Sequence, residues 1–421
     1  MCASVERTWE APTRVFCGID WASDHHDVAV VDGDGKLLGR AWIDDDAAGL
    51  QLLLGLLVEH SDSPDDRIPV VIETSRGLLV ACLRASGPVN LMAAARYRER
   101  HSVSRKKFDP LDAMVLVNIL RTDADARRQL PADSELAQAI AVLALAQQDS
   151  VWDRTQAGNK LRSHLREYFP GYLAAVEALR GGLAAPLART LLVAAPTPEQ
   201  AARLTRAQLR AVLKRAGRQR GIDHEVERLH AALRVPQMRQ LPMVERAMGR
   251  QAVALLGKFE AACVAADELA EASVELFEKH PDAAIITSFP GLAALSGAWV
   301  LAEIGDDRTR FADAKALKAY AGSAPVTRAS GKSRTVMVRR VKNQRLAAVG
   351  FVSAFGSLRA SPGARAHYDR RRDAGDRHTS AQRNFYNRFL GCLHHCLATG
   401  TTYSETTAFP VLPKLELVIA A

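Results

Sequence analysis

The sequence predicts an α/β domain, then a long helical region, then a mostly helical C-terminal domain. Three observations carry this. Two apolar runs, Val15 to Asp20 and Ile68 to Glu73, read as buried strands that each end in a carboxylate. Apolar residues then recur at helical spacing over about 133–168 and 244–279. Finally, the 421 residues exceed one ordinary core, so two or three domains are expected.

The first domain is expected over 14–125. Strands at 15–20 and 27–32 flank a polar turn, Trp21-Ala22-Ser23-Asp24-His25-His26, and Asp32-Gly33-Asp34-Gly35 is a hairpin turn into a third strand at 37–43. A helix near 46–60, the strand at 68–73, a helix at about 76–86, the strand Val89 to Met92 and a helix carrying Asp109 and Asp112 complete it. Three antiparallel strands followed by alternating β/α units outline a ribonuclease-H-like fold, in which the first and fourth strands lie side by side. Asp20 and Glu73 are then neighbours, and the D-x-x-D spacing puts Asp109 and Asp112 on one helix face.

Burying an ionised carboxylate is costly unless it is paired or binds a metal. Four acids that can converge, Asp20, Glu73, Asp109 and Asp112, therefore suggest a divalent-cation site and a metal-dependent phosphodiester enzyme. His25, His26, Asp24 and Asp27 read as polar turn residues, and Thr74 and Ser75 as candidate phosphate contacts.

Asp133 or Ser134 caps the first long helix, which Pro170-Gly171 breaks after Tyr168. With the helix at 244–279 it fits either an antiparallel coiled-coil arm or plain helical core, within a region set at 131–282. Residues 171–243 between them are helical and rich in Ala, Leu and Arg. The C-terminal domain, 283–403, opens on Ser288-Phe289-Pro290-Gly291-Leu292 and a small-residue helix, half of a helix-hairpin-helix-like element. A helix over 314–321 precedes a flexible polar stretch holding Ser330-Gly331-Lys332-Ser333. Such a serine is ordinarily a turn residue and alternatively a nucleophile. Cys392-Leu-His-His-Cys396 resembles half a zinc site but lies in a helical stretch without a second ligand pair nearby.

A net charge of +9 argues for a polyanionic partner. Arg328, Lys332, Arg334, Arg339, Arg340, Lys342 and Arg345 occur with no acid among them. Arg203 to Arg220 is a second basic run, and Arg96 to Lys107, including Arg105, Lys106 and Lys107, is a third. These suit phosphate-backbone contacts, against the alternative of solvated helix faces. No apolar run approaches the roughly 20 residues that span a bilayer. Scattered cysteines and an N-terminus without an apolar signal core lead to an expected cytoplasmic location without membrane attachment.

Gly18-Ile19-Asp20, Ile72-Glu73-Thr74-Ser75, Lys107-Phe108-Asp109-Pro110-Leu111-Asp112-Ala113, Phe289-Pro290-Gly291, Arg310-Phe311, Tyr320 to Pro325 and Ser330-Gly331-Lys332 occur in that order. Together they resemble the DEDD transposases of the insertion-sequence one-ten family, the bridge-RNA-guided recombinases. The resemblance covers about 14–125 and 283–400. It implies a RuvC-like (ribonuclease-H-like) domain whose metal ligands fall on Asp20, Glu73, Asp109 and Asp112, holding Mg²⁺, two ions per site. It also implies a C-terminal transposase domain whose catalytic serine falls on Ser330 and joins covalently to a DNA strand. The implied partners are DNA, a structured noncoding RNA and further copies of the chain, a dimer or tetramer in which the acidic site of one subunit meets the serine of another. Two features depart from the family pattern: residues 171–243 are longer than its usual connection, and Ser333 follows closely enough to be a second candidate nucleophile. Lys332 and Arg334 are expected to stabilise charge on the attacked phosphate. The competing reading is a Holliday-junction-resolvase-like nuclease using the same acids with water as nucleophile. A sugar-kinase-like ATPase is disfavoured because Trp21-Ala22-Ser23-Asp24 stands where glycines should approach phosphate.

Overall fold

A computed structural model describes residues 14–74, 77–86, 89–91, 109–123, 130–331 and 333–410. The chain divides into two compact units, one ending at Ala132 and the other starting at Asp133.

The first unit is a five-stranded sheet with helices on both faces. Its strands are β1 (Phe16–Trp21), β2 (His25–Val31), β3 (Leu37–Asp44), β4 (Val70–Ile72) and β5 (Val89–Leu91), in the order β3-β2-β1-β4-β5. β1, β2 and β3 pair antiparallel, whereas β4 runs parallel to β1 and β5 parallel to β4. The β2–β3 turn closes as its Asp-Gly sequence requires: the Asp32 carboxylate accepts the N–H groups of Asp34 and Lys36, and Gly35 takes φ +87°. Alternation along the strands divides the core in two. Cys17, Ile19, Val28, Val30 and Ile72 face α1 (Ala47–Glu59) and α2 (Leu78–Ser86). Phe16, Ala29, Val31 and Val71 face α3 (Asp109–Asp123), through Ala113, Leu116, Val117 and Leu120. Asp46 caps α1 by accepting the Gly49 N–H at 2.7 Å, a contact worth about 1 kcal/mol.

Among the described residues, the second unit is helical apart from one hairpin. Its spine is an antiparallel pair, α4 (Glu135–Tyr168) and α10 (Pro242–Glu278), with Gln147 Nε2 donating to Ala266 O and His164 bonded to Met248 O. Along α10, Glu245, Gly249, Ala252, Leu256, Phe259, Cys263 and Ala266 are buried at alternating steps of four and three. Gly158 sits under the Phe259 ring, where a side chain would crowd it. Between the long helices the chain folds α5 (Pro170–Glu177), a short 3₁₀ turn, α6 (Pro186–Ala194), α7 (Pro198–Arg203), α8 (Arg206–Arg215) and α9 (Ile222–Ala232). These pack on one end of the pair around Leu165, Tyr168, Phe169, Tyr172, Leu191 and Leu213.

Around the other end, a second core of Ile140, Phe277, Phe289, Leu301, Phe385 and Phe389 gathers the C-terminal elements. They are α11 (Ala283–Thr287), α12 (Ala294–Ile304), α13 (Ala314–Tyr320), β6 (Val326–Ser330), β7 (Ser333–Met337), α14 (Gln344–Ala360), α15 (Pro362–Asp373), α16 (His378–Thr399) and α17 (Glu405–Ala408). The Pro290-Gly291 turn lies against α14, where a Cβ on Gly291 would come within 2.3 Å of Ser353 O. Among the described residues, no helix is long and apolar enough to cross a membrane.

Candidate active site

Parallel pairing of Ile19 with Ile72 sets Asp20 and Glu73 side by side at the ends of β1 and β4. α3 reaches the same place because Gly18 lets it. A Cβ on Gly18 would lie 2.5 Å from Ala113 O and 2.8 Å from Val117 Cβ, so only glycine permits this approach. Ala113 is thereby held over Gly18, two positions before Asp20 in β1, and its chain neighbour Asp112 is buried, 3% exposed. Glu73 is exposed and Asp20 half-buried. Asp109 opens α3, but its side chain lies outside the described residues, as do Ser75, Arg105, Lys106 and Lys107. Among the described residues, no three His, Cys, Asp or Glu side chains are close enough to hold a metal ion. The backbone thus gathers Asp20, Glu73 and Asp112 without drawing their side chains into a ligand shell. The donor set consists of carboxylates alone, which suits a hard cation such as Mg²⁺.

A further acid belongs to this group. Asp27 is not in a turn: β2 starts at His25, and Asp27 pairs directly with Asp20 across the sheet. Cross-strand partners point to the same face, so Asp27 shares Asp20's side of the sheet. His26 is also displaced from the expected turn. It is fully buried in β2, its Nδ1 accepts the Ala22 N–H, and its Nε2–H donates to Asp45 Oδ1 at 3.2 Å. It anchors the Ala22–Asp24 turn. His25 stacks on Trp42, with ring centroids 4.8 Å apart.

In the second unit, the stretch expected to be flexible is a β-hairpin. Ser330 and Ser333 form its last pair, closed by Gly331-Lys332 with Gly331 at φ +55°. Lys332 itself lies outside the described residues. Arg328 pairs with Thr335 and Ala329 with Arg334. By alternation, Arg328, Ser330 and Ser333 share one face and Arg334 lies on the other. Ser330, Arg328, Arg334 and Arg340 are exposed, whereas Arg339 donates to Ala324 O at 3.3 Å.

Other basic residues are engaged by packing. Arg345 bonds Asp149 at 2.6 Å and lies over the Trp152 ring, tying α14 to α4. In the run from Arg203 to Arg220, Arg203, Arg206, Arg210 and Arg218 pair with Glu199, Glu227, Asp223 and Glu225. Much of that charge therefore joins helices to one another. Cys392 and Cys396 are free thiols within α16, and burial raises the pKa of both.

Residues 17–170 match the model of the DEDD transposase domain of IS110, and residues 283–369 match the transposase family of IS116, IS110 and IS902. The chain is 59% identical over 408 residues to the mini-circle IS117 protein of Streptomyces coelicolor, covering 96% of this chain and 99% of that one. It is 30% identical to the IS110 43.6 kDa protein of the same organism, covering 71% of this chain and 72% of that one. The IS900 42 kDa protein of Mycobacterium paratuberculosis is 28% identical, covering 93% of this chain and 98% of that one. With its acids gathered on one sheet face and both family domains in order, the chain belongs to the IS110 family of DEDD transposases.

Proposed function

We propose that this transposase cleaves and rejoins DNA through a serine–DNA intermediate, with Asp20, Glu73, Asp109 and Asp112 as metal ligands and Ser330 as nucleophile. The observation that carries the reading is the convergence at the end of β1: Glu73 on the parallel neighbour, Asp112 brought in over Gly18, and Asp27 in register with Asp20. The strand order β3-β2-β1-β4-β5 supports a ribonuclease-H-like reading of the sheet, and the four-three spacing along α10 supports a coiled-coil reading of the long helices. Two Mg²⁺ ions held by these carboxylates would supply charge neutralisation at the attacking and leaving oxygens.

The chain's own groups do the rest. Ser330 Oγ forms a bond to phosphorus as the bond to the departing strand's oxygen breaks. Its proton passes to a carboxylate of the acidic site, because a neutral serine hydroxyl is a weak nucleophile. Arg328, on the serine's face of the hairpin, offsets charge on the attacked phosphate. The phosphoserine ester conserves the energy of the phosphodiester, so rejoining needs no nucleotide. Membership of the family supports a structured guide RNA and an oligomer as working partners.

The test incubates the protein with Mg²⁺, DNA and the RNA transcribed from its element's flanks. A protein–DNA adduct that survives denaturation is expected. It should vanish in Ser330→Ala and persist in Ser333→Ala. An adduct retained by Ser330→Ala overturns the assignment, and full strand exchange by that variant favours water as the nucleophile.

A further inference from the structure

α14 buries one face and leaves the other uncovered. Leu346, Val349, Gly350, Ser353, Ala354 and Ser357 face the core, with the Tyr386 ring pressed on Gly350. On the opposite side Phe351, Val352 and Phe355 are 53%, 64% and 52% exposed. Phe351, Phe355 and Arg359 follow one another at four-residue steps, so they form one stripe along the helix. The Arg359 guanidinium lies 5.9 Å from the Phe355 ring centroid. Two large aromatic rings half in water, beside a cation, are not explained by packing within this unit.

Charge identifies what covers them. Between Asp313 and Asp369 the sequence holds eleven lysines and arginines and no acid. The same segment contains the hairpin with Ser330 and the exposed Val338 and Val341. Of these, Arg345 and Arg365 are paired with Asp149 and Asp369, while Arg328, Arg334, Arg340 and Arg359 are exposed. A polynucleotide with unpaired bases supplies what the surface asks for, phosphates for the arginines and flat π faces for the phenylalanines.

We propose that the Phe351–Phe355–Arg359 stripe of α14 is a stacking platform for unpaired bases of a polynucleotide strand, next in sequence to the hairpin that joins it. This deepens the strand-joining reading without depending on the serine. Binding is therefore measured on a Ser330→Ala background, where strand joining cannot contribute.

The probes are oligonucleotides carrying 2-aminopurine, as single-stranded DNA, single-stranded RNA and fully paired duplex, at fixed salt with the full-length chain. Single strands are expected to bind with quenching of the probe. Phe351→Ala and Phe355→Ala are each expected to weaken that binding about tenfold, with duplex affinity little changed. Phe355→Trp should restore stacking, whereas Phe355→Leu, equally apolar, should not. The tighter of the two single strands identifies the user of the platform, and either result supports it. Three results overturn the proposal: unchanged single-strand binding in both alanine variants, full binding by Phe355→Leu, or alanine variants that only alter sedimentation, which would assign the stripe to a second copy of the chain. Both phenylalanines are exposed, so circular dichroism should show native helicity in each variant.

Discussion

At Gly18 the absence of a side chain is what lets α3 settle on β1. A methyl group there meets the Ala113 carbonyl at 2.5 Å, and backbone does not yield as a flexible side chain would. Gly18→Ala should destabilise the first unit by about 1–3 kcal/mol, the usual cost of overpacking. It should also displace Asp112, so strand cleavage should fall more than the loss of folded protein explains. A denaturation midpoint measured beside cleavage rate checks both. The sequence places Gly18 in a strand and in the Gly18-Ile19-Asp20 motif, but the missing Cβ is informative only when its neighbour is known. Asp27 was hidden differently. Its position follows from the residue where β2 begins, and a shift of two residues separates a turn acid from the cross-strand partner of Asp20.

Among the elements, the start of α4 is held by a charged cluster. Ser134 caps the helix, its own N–H donates to Asp306 Oδ1 at 2.9 Å, and Asp306 Oδ2 bonds the buried His280 at 3.2 Å. Asp133 accepts the N–H groups of Asp306 and Asp307 in return. Burial works to raise the Asp306 pKa. The hydrogen bonds from Ser134 and His280, with the charge on His280, outweigh it and hold the carboxyl below its ordinary range. A depressed carboxyl stabilises the fold above its unfolded pKa, about 3.9, and that contribution is lost as pH falls through the lower folded value. Stability should accordingly hold down to about pH 4 from this group and then decline. Asp306→Asn should cost about 2 kcal/mol at neutral pH and flatten the decline below pH 4, as denaturant titrations across pH would record. The hairpin of β6 and β7 shows why some elements were missed. Its residues alternate in the strand period, but both faces are exposed, so no apolar pattern marks it in the sequence.

For the molecule as a whole, the acids lie in one compact unit and Ser330 in the other. Under the proposed assembly, in which acids and serine come from different subunits, two inactive proteins should complement. Asp20→Asn and Ser330→Ala are each expected to lose strand transfer by about two to three orders of magnitude. Co-assembled from mixed subunits, they should recover a measurable fraction, read as recombined DNA. No recovery in mixed oligomers, with each variant still binding DNA, would place acids and serine in the same subunit.

The sequence by itself determined the strands of the first unit and the two long helices, the adjacency of Asp20 and Glu73, and the family. Apolar periodicity, caps and turn residues act over a few positions and are written locally. Only the tertiary structure decided that Gly18 admits α3, that Asp27 faces Asp20, that Arg328 rather than Arg334 shares a face with Ser330, and that α8 and α9 neutralise much of the Arg203–Arg220 run. Each of these depends on what stands opposite a residue across a sheet or between helices, and distance along the chain does not encode that.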